Sequence, residues 1–135
     1  MTTGYSGTPL ARKLGFMPGQ RILRHAMPPS VAREIAEESP DVRLLDDAEP
    51  PLDGAHLFTT SRAELAALLQ RLRTDIRPDG VIWVSWPKKA ARMPTDVTED
   101  VVRELALPLG LVDIKVCAVD ETWSGLKLVI RRELR

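Results

Sequence analysis

The chain has 135 residues, with 19 basic and 19 acidic side chains and a formal net charge of zero. That balance removes the broad positive field of a general nucleic-acid binder, and no stretch approaches the ~18–20 apolar residues of a membrane span. The single cysteine, Cys117, excludes an intrachain disulfide and a cysteine-based zinc cluster. "MTTGYSGTPLARKLG" carries no apolar run of signal length, so the expected setting is the cytoplasm.

Taken in chain order, "GYSGTP" is rich in glycine and hydroxyls but lacks the GK[ST] ending of a phosphate-binding loop; a flap contacting a site through Tyr5 is expected. "TPLARKLG" predicts one or two helical turns, with Thr8 as the cap, Pro9 first and Gly15 as the stop. A turn at Pro18-Gly19 leads into a strand at about Arg21 to His25. "PPSVAREIAEES" predicts a helix over Pro29 to Glu38, with Val31, Ala32, Ile35 and Ala36 on one face. "VRLLDDAEPPLDG" reads as a strand, Val42 to Leu45, and then an acidic loop. His56 to Thr59 is an apolar strand, which puts His56 at its start and at the end of the sheet away from any site.

Ser61 with Glu64 forms the capping-box pattern, and Leu65, Leu68, Leu69, Leu72 and Ile76 recur at helical spacing behind it. "RPDG" reads as a turn and "VIWV" as a buried strand that runs out into "SWPKK", where Pro87 ends the pairing. "TEDVVRELALPLG" is a further helix with Val101, Val102 and Leu105 inward. Two strands follow, "LVDIKVCAV" and "GLKLVIRRE", joined by "DETWS". The first alternates with Val112, Ile114, Val116 and Ala118 on one face; the second sets Leu126, Leu128 and Ile130 against Lys127, Val129 and Arg131.

Strands alternating with helices imply a parallel sheet covered on both faces. With short loops throughout, one domain is expected over residues 1–135, residues 1–18 forming an N-terminal arm and short helix. From "HLFTT" to "LVDIKVCAVDETWSGLKLVIRR" the succession resembles the second half of the class I S-adenosylmethionine-dependent methyltransferase fold. That resemblance implies an α/β, Rossmann-like (methyltransferase-like) three-layer sandwich. It has about six strands in the order 2-1-3-4-6-5, with the last strand antiparallel. It also implies a glycine-rich cofactor turn after the first strand, where this chain has "ILRHAMPPSV" and no glycine, and a ribose-binding acid after the second strand, where Asp46 or Asp47 stands. The expectation is therefore a methyltransferase-like architecture with no cofactor. "GYSGTPLARKLG", "HLFTTSRAEL", "VSWPKKA" and "VCAVDETWSGLKLVIR" are similar to hallmark segments of a bacterial family, domain of unknown function 3052. That family has no established activity, so it supplies no catalytic residue to carry over.

Ligands of open α/β sheets bind beyond the carboxyl ends of the strands. That rim collects the candidates. Lys88 and Lys89 with Trp86 would hold a phosphate or carboxylate against an aromatic plate, the alternative being a solvated lysine pair. Ser61 and Arg62 stand at a helix N-terminus, either as an anion site or, for Ser61, as a simple cap. His25 is the best-placed acid or base, and Asp120 with Glu121 would be a carboxylate pair for proton transfer, the alternative being a solvated turn. Trp123 is a lid or a partner-binding anchor, and Cys117 a buried small hydrophobe. No metal is expected: the two histidines are far apart, and Asp46, Asp47, Glu49 and Asp53 lack calcium-loop spacing. The expectation is thus a binding or regulatory domain for an anionic small molecule or a protein partner, and not an active methyltransferase. The alternatives are an enzyme using the same rim and a homodimer formed through a sheet edge or the Trp123 turn.

Overall fold

The computed structural model describes residues 8–135, so the expected Tyr5 flap lies outside the described residues. In chain order the elements are α1 (Leu10–Leu14), β1 (Arg21–His25), α2 (Pro29–Glu38), β2 (Arg43–Leu45), β3 (Leu52–Phe58), α3 (Arg62–Asp75), β4 (Ile76–Pro87), α4 (Glu99–Ala106), β5 (Leu111–Ala118) and β6 (Trp123–Ile130). The strands form one sheet in the order β2-β1-β3-β4-β6-β5. β2, β1, β3 and β4 pair in parallel, and β6 runs antiparallel to both β4 and β5. This is the expected order, with helices on both faces of the sheet.

The two faces bury separate cores. α3 and α4 cover one, through Leu65, Leu69, Leu72, Val102 and Ala106 against Ala55, Leu57, Ile82, Val84, Leu126 and Leu128. α1 and α2 cover the other, through Leu10, Leu14, Val31 and Ile35 against Ile22, Phe58 and Trp83. Gly15 stops α1 in the left-handed region (φ 77°), as its position in the sequence implies. The Trp83 indole N–H then donates to the Leu14 carbonyl at 2.7 Å, fastening the end of α1 to the centre of the sheet. Among the described residues no helix is long and apolar enough to cross a membrane.

Four strands differ from expectation. β3 starts at Leu52, not His56, because Asp53-Gly54 is strand and not turn. A Cβ at Gly54 would lie 2.8 Å from the Val81 carbonyl oxygen, so glycine here permits the close approach of β4. "RPDG" is likewise absorbed into β4, which pairs Ile76 with Leu52 and then shifts register before Val81 pairs with Gly54. In β5 a register shift between Asp113 and Lys115 breaks the alternation, leaving Ile114 (56% exposed) and Val116 (51%) in solvent instead of on a common buried face. β6 starts at Trp123, so Trp123 pairs with Pro87 and the intervening turn shrinks.

Candidate functional site

The chain leaves β1 through α2 on one face and β3 through α3 on the other, so the sheet changes direction between β1 and β3. The crevice beyond such a switch is where open α/β sheets receive ligands. His25 ends β1 there, with its Nε2 3.3 Å from Glu64 Oε1. The same carboxylate oxygen accepts the Thr59 hydroxyl at 2.7 Å. Ser61 caps α3 by accepting the Glu64 N–H at 3.1 Å, but the capping box is only half formed. The Ser61 N–H donates to Thr59 Oγ1 and not to Glu64, whose side chain is thereby free to reach His25. A histidine that stands alone in the sequence thus gains an acidic partner from a residue the sequence marks only as a cap.

The neighbouring turn carries side chains in place of glycine and borders a pocket of about 500 Å³ lined by Arg24, Ala26, Met27, Pro29, Ala32 and Asp46. Ala26 takes a left-handed conformation (φ 52°), and Met27, Pro28 and Pro29 follow at the turn where the methyltransferase resemblance implies glycines. Asp46, at the end of β2, is gripped by Arg24 through Nε–Oδ1 at 2.8 Å and Nη2–Oδ2 at 3.4 Å. Those hydrogen bonds hold the Asp46 carboxyl below its ordinary pKa range. Of the other acids in that loop, Asp53 accepts the Arg21 N–H (2.8 Å) and pairs with Arg77 (3.0 Å), and Glu49 lies 3.7 Å from Arg21. No group of three His, Cys, Asp or Glu among the described residues is placed to hold a metal.

Lys88 and Lys89 lie past the end of β4, beside a pocket of about 730 Å³. Trp86 belongs to the core (9% exposed) and forms part of the pocket floor, with Met93 and Val97 as further apolar lining and Ser124 and Thr98 as hydroxyls. The Lys88 N–H donates to the Thr122 carbonyl (2.8 Å), which fixes the start of this loop against the β5–β6 turn. No carboxylate of the described residues lies within ion-pair distance of either ammonium. Glu99 and Asp100 stand on the same lip, but both are engaged by Arg103, which also pairs with Asp113 at 3.0 Å.

The remaining candidates have internal partners. The N–H of Arg62 at the start of α3 donates to Asp96 Oδ1 at 2.6 Å, so the protein's own carboxylate sits where an external anion was expected. The Arg62 guanidinium pairs with Glu104 at 2.9 Å. Asp120 accepts the N–H groups of Thr122 and Trp123, each at 2.8 Å, and so shapes the turn, while Glu121 is exposed beside it. Trp123 stands edge-on to Phe58 (5.2 Å between centroids) and closes the end of the α1–α2 core. Cys117 is half-buried, and burial pushes its thiol up, with Lys13 and Lys115 acting in the opposite direction.

His56 needs a correction. It lies in the middle of β3 and not at a strand start, is 0% exposed, and is stacked on Phe58 with centroids 4.3 Å apart. Its Nε2 is 2.8 Å from the Oγ of Ser85, which is equally buried and not part of the rim, and its Nδ1 has no hydrogen-bond partner. Burial pushes the imidazole pKa down to about 3, so it is neutral at pH 7.

Residues 11–132 match a family described as protein of unknown function (DUF3052). The chain belongs to that family. Comparison with curated proteins returned no match. Solved structures show the fold of this DUF3052 chain elsewhere. The precorrin-6y C5,15-methyltransferase from Geobacter metallireducens GS-15 is similar at a TM-score of 0.62 and 12% identity, over 90% of this chain and 84% of that one. A SAM dependent methyltransferase from Aquifex aeolicus gives 0.59 and 13%, over 90% and 88%. TrmN from Thermus thermophilus gives 0.59 and 16%, over 90% of this chain and 47% of that one, so the DUF3052 chain spans about half of its length. At these identities the likeness is one of fold.

Proposed function

We propose that this DUF3052 protein is a small Rossmann-like binding domain that does not transfer methyl groups, and that it takes a small organic anion in the pocket beyond β4. The observation that carries the reading is the pair of ammonium groups, Lys88 and Lys89, without a carboxylate partner among the described residues, over apolar walls of Trp86, Met93 and Val97. An anion with an apolar body would satisfy both surfaces at once. The occupied Arg24–Asp46 pair and the Ala26-Met27-Pro28-Pro29 turn support the absence of S-adenosylmethionine binding. Thermal denaturation with benzoate as probe tests this. Benzoate raises the Tm of the wild type and not of Lys88→Ala/Lys89→Ala, and S-adenosylmethionine raises neither. Micromolar binding of S-adenosylmethionine in calorimetry would refute it. A second reading, an enzyme using the same rim, is favoured by the His25–Glu64 contact. It requires a His25→Asn variant that still binds a turned-over ligand and no longer converts it.

A further inference from the structure

β5 and β6 place Lys115 directly opposite Lys127. Directly opposed residues of an antiparallel pair share a face with Cβ atoms ~5 Å apart, and like charges there repel. Both ammonium groups flank the end of α1. Lys115 Nζ donates to the Lys13 carbonyl at 3.3 Å, and Lys127 Nζ lies 3.4 Å from where a Cβ on Gly15 would stand. Lys115 is thus accounted for as a cap on the helix carbonyls, and the Leu14 carbonyl is taken by Trp83. Lys127 also stands near the carbonyl end of α1, where the helix dipole favours a cation, but it makes no bond: no acceptor and no carboxylate of the described residues is within bonding reach of its ammonium. Its stem lies against the sheet beside Trp83, half-buried, and burial together with Lys115 pushes its pKa down. Two cations held together by the backbone register, one of them unsatisfied, form an arrangement whose repulsion a bound dianion would relieve.

We propose that Lys115 and Lys127 form a second anion site, at the end of α1, that binds a phosphoryl group. The compact, multiply charged oxyanion fits because Lys115 and Lys127 face each other across β5 and β6 and both ammonium groups stand at the same place beside α1, so one small dianion would reach both. The site is separate from the one beyond β4 and does not depend on it.

The test uses inorganic phosphate as the probe, against sodium chloride of matched ionic strength. Phosphate is expected to raise the Tm by about 3 °C near saturation, and chloride not to. The rise is lost in Lys127→Met and in Lys115→Met/Lys127→Met, which keep the apolar stems, and persists in Lys88→Ala/Lys89→Ala. A readout independent of the variants is Cys117, on β5 two residues from Lys115. Phosphate slows alkylation of its thiol several-fold in the wild type by screening Lys115 and filling the space beside it. Equal rises with phosphate and chloride would mean only screening of the repulsion and would overturn the proposal. So would a phosphate effect that survives Lys127→Met, or alkylation that phosphate leaves unchanged.

Discussion

His56 makes the stability of this fold depend on acid in a way that can be isolated. An unfolded chain protonates this imidazole below its ordinary pKa of 6.5, whereas the folded protein keeps it neutral down to about 3. Between those values the unfolded state binds the extra proton, so stability rises with pH through the window and is flat above it. Each unit is worth about 1.4 kcal/mol. At pH 4.5, about two units below the free value, the wild type has lost about 2.7 kcal/mol through this one side chain, a large share of the 5–15 kcal/mol typical of a domain.

The perturbation is His56→Gln, which can still donate to Ser85 Oγ but does not titrate. It loses the stacking on Phe58 and is therefore less stable than the wild type at neutral pH. The assay is urea unfolding of both proteins at steps from pH 7.5 to pH 4.5. The other ionisable side chains are common to both proteins, so their contributions cancel in the difference. The stability advantage of the wild type is expected to shrink by about 2.7 kcal/mol across the range, with nearly all of the change below pH 6.5. A difference that stays constant to within about 0.5 kcal/mol would show that His56 is not held neutral by burial, and the reasoning would fail.

Two backbone predictions accompany it. Ala26→Gly relieves a left-handed alanine (φ 52°) at the turn after β1 and raises stability by roughly 0.5 kcal/mol, the relief being partly offset by the freer unfolded chain; a fall in the urea midpoint would contradict it. Gly54→Ala forces a Cβ to 2.8 Å from the Val81 carbonyl oxygen and 3.2 Å from Ile22 Cδ1, and lowers stability by about 1–3 kcal/mol; an unchanged Tm would show that β3 and β4 do not approach this closely.

The strand order was legible because it follows from patterns that survive tertiary packing. The apolar periods of α2 and α3, the Ser61 cap and the Gly15 stop are local signals that the structure largely honours, although Ala36 is exposed and Ile76, expected to continue α3, begins β4. The failures share one cause. Asp53-Gly54, Arg77–Gly80 and Asp113–Lys115 are places where one strand must accommodate another, by close approach or by a register shift. Dipeptides such as Asp-Gly signal a turn only in the absence of such a neighbour, and a period of two holds only while the ladder is in phase. His56 was misplaced for the same reason: once β3 is taken to begin late, its central histidine falls at the edge.

The candidate sites turn on a different quantity, the pairing of charges across the fold. The chain has as many acidic as basic side chains, so nearly any cation could be neutralised internally, and local sequence does not say which is. Arg62 looked as free as Lys88, yet the structure gives its N–H Asp96 and its guanidinium Glu104. Asp46 stood ready as a ligand-binding acid, yet Arg24 holds it. Lys88 and Lys89 past β4 and Lys127 beside α1 are among the cations that have no carboxylate partner in the described residues, one group flagged by its place on the rim and the other invisible until β5 and β6 are in register. Cations without an internal partner also include the exposed Arg12, Arg33, Arg43, Arg71, Arg92 and Arg132, so the lack of a partner does not by itself mark a site; solvent or a ligand must satisfy each. The sites worth testing are those where the backbone holds two cations side by side and at least one has no partner among the described residues, as at Lys88–Lys89 and Lys115–Lys127, since a bound anion would relieve the repulsion there.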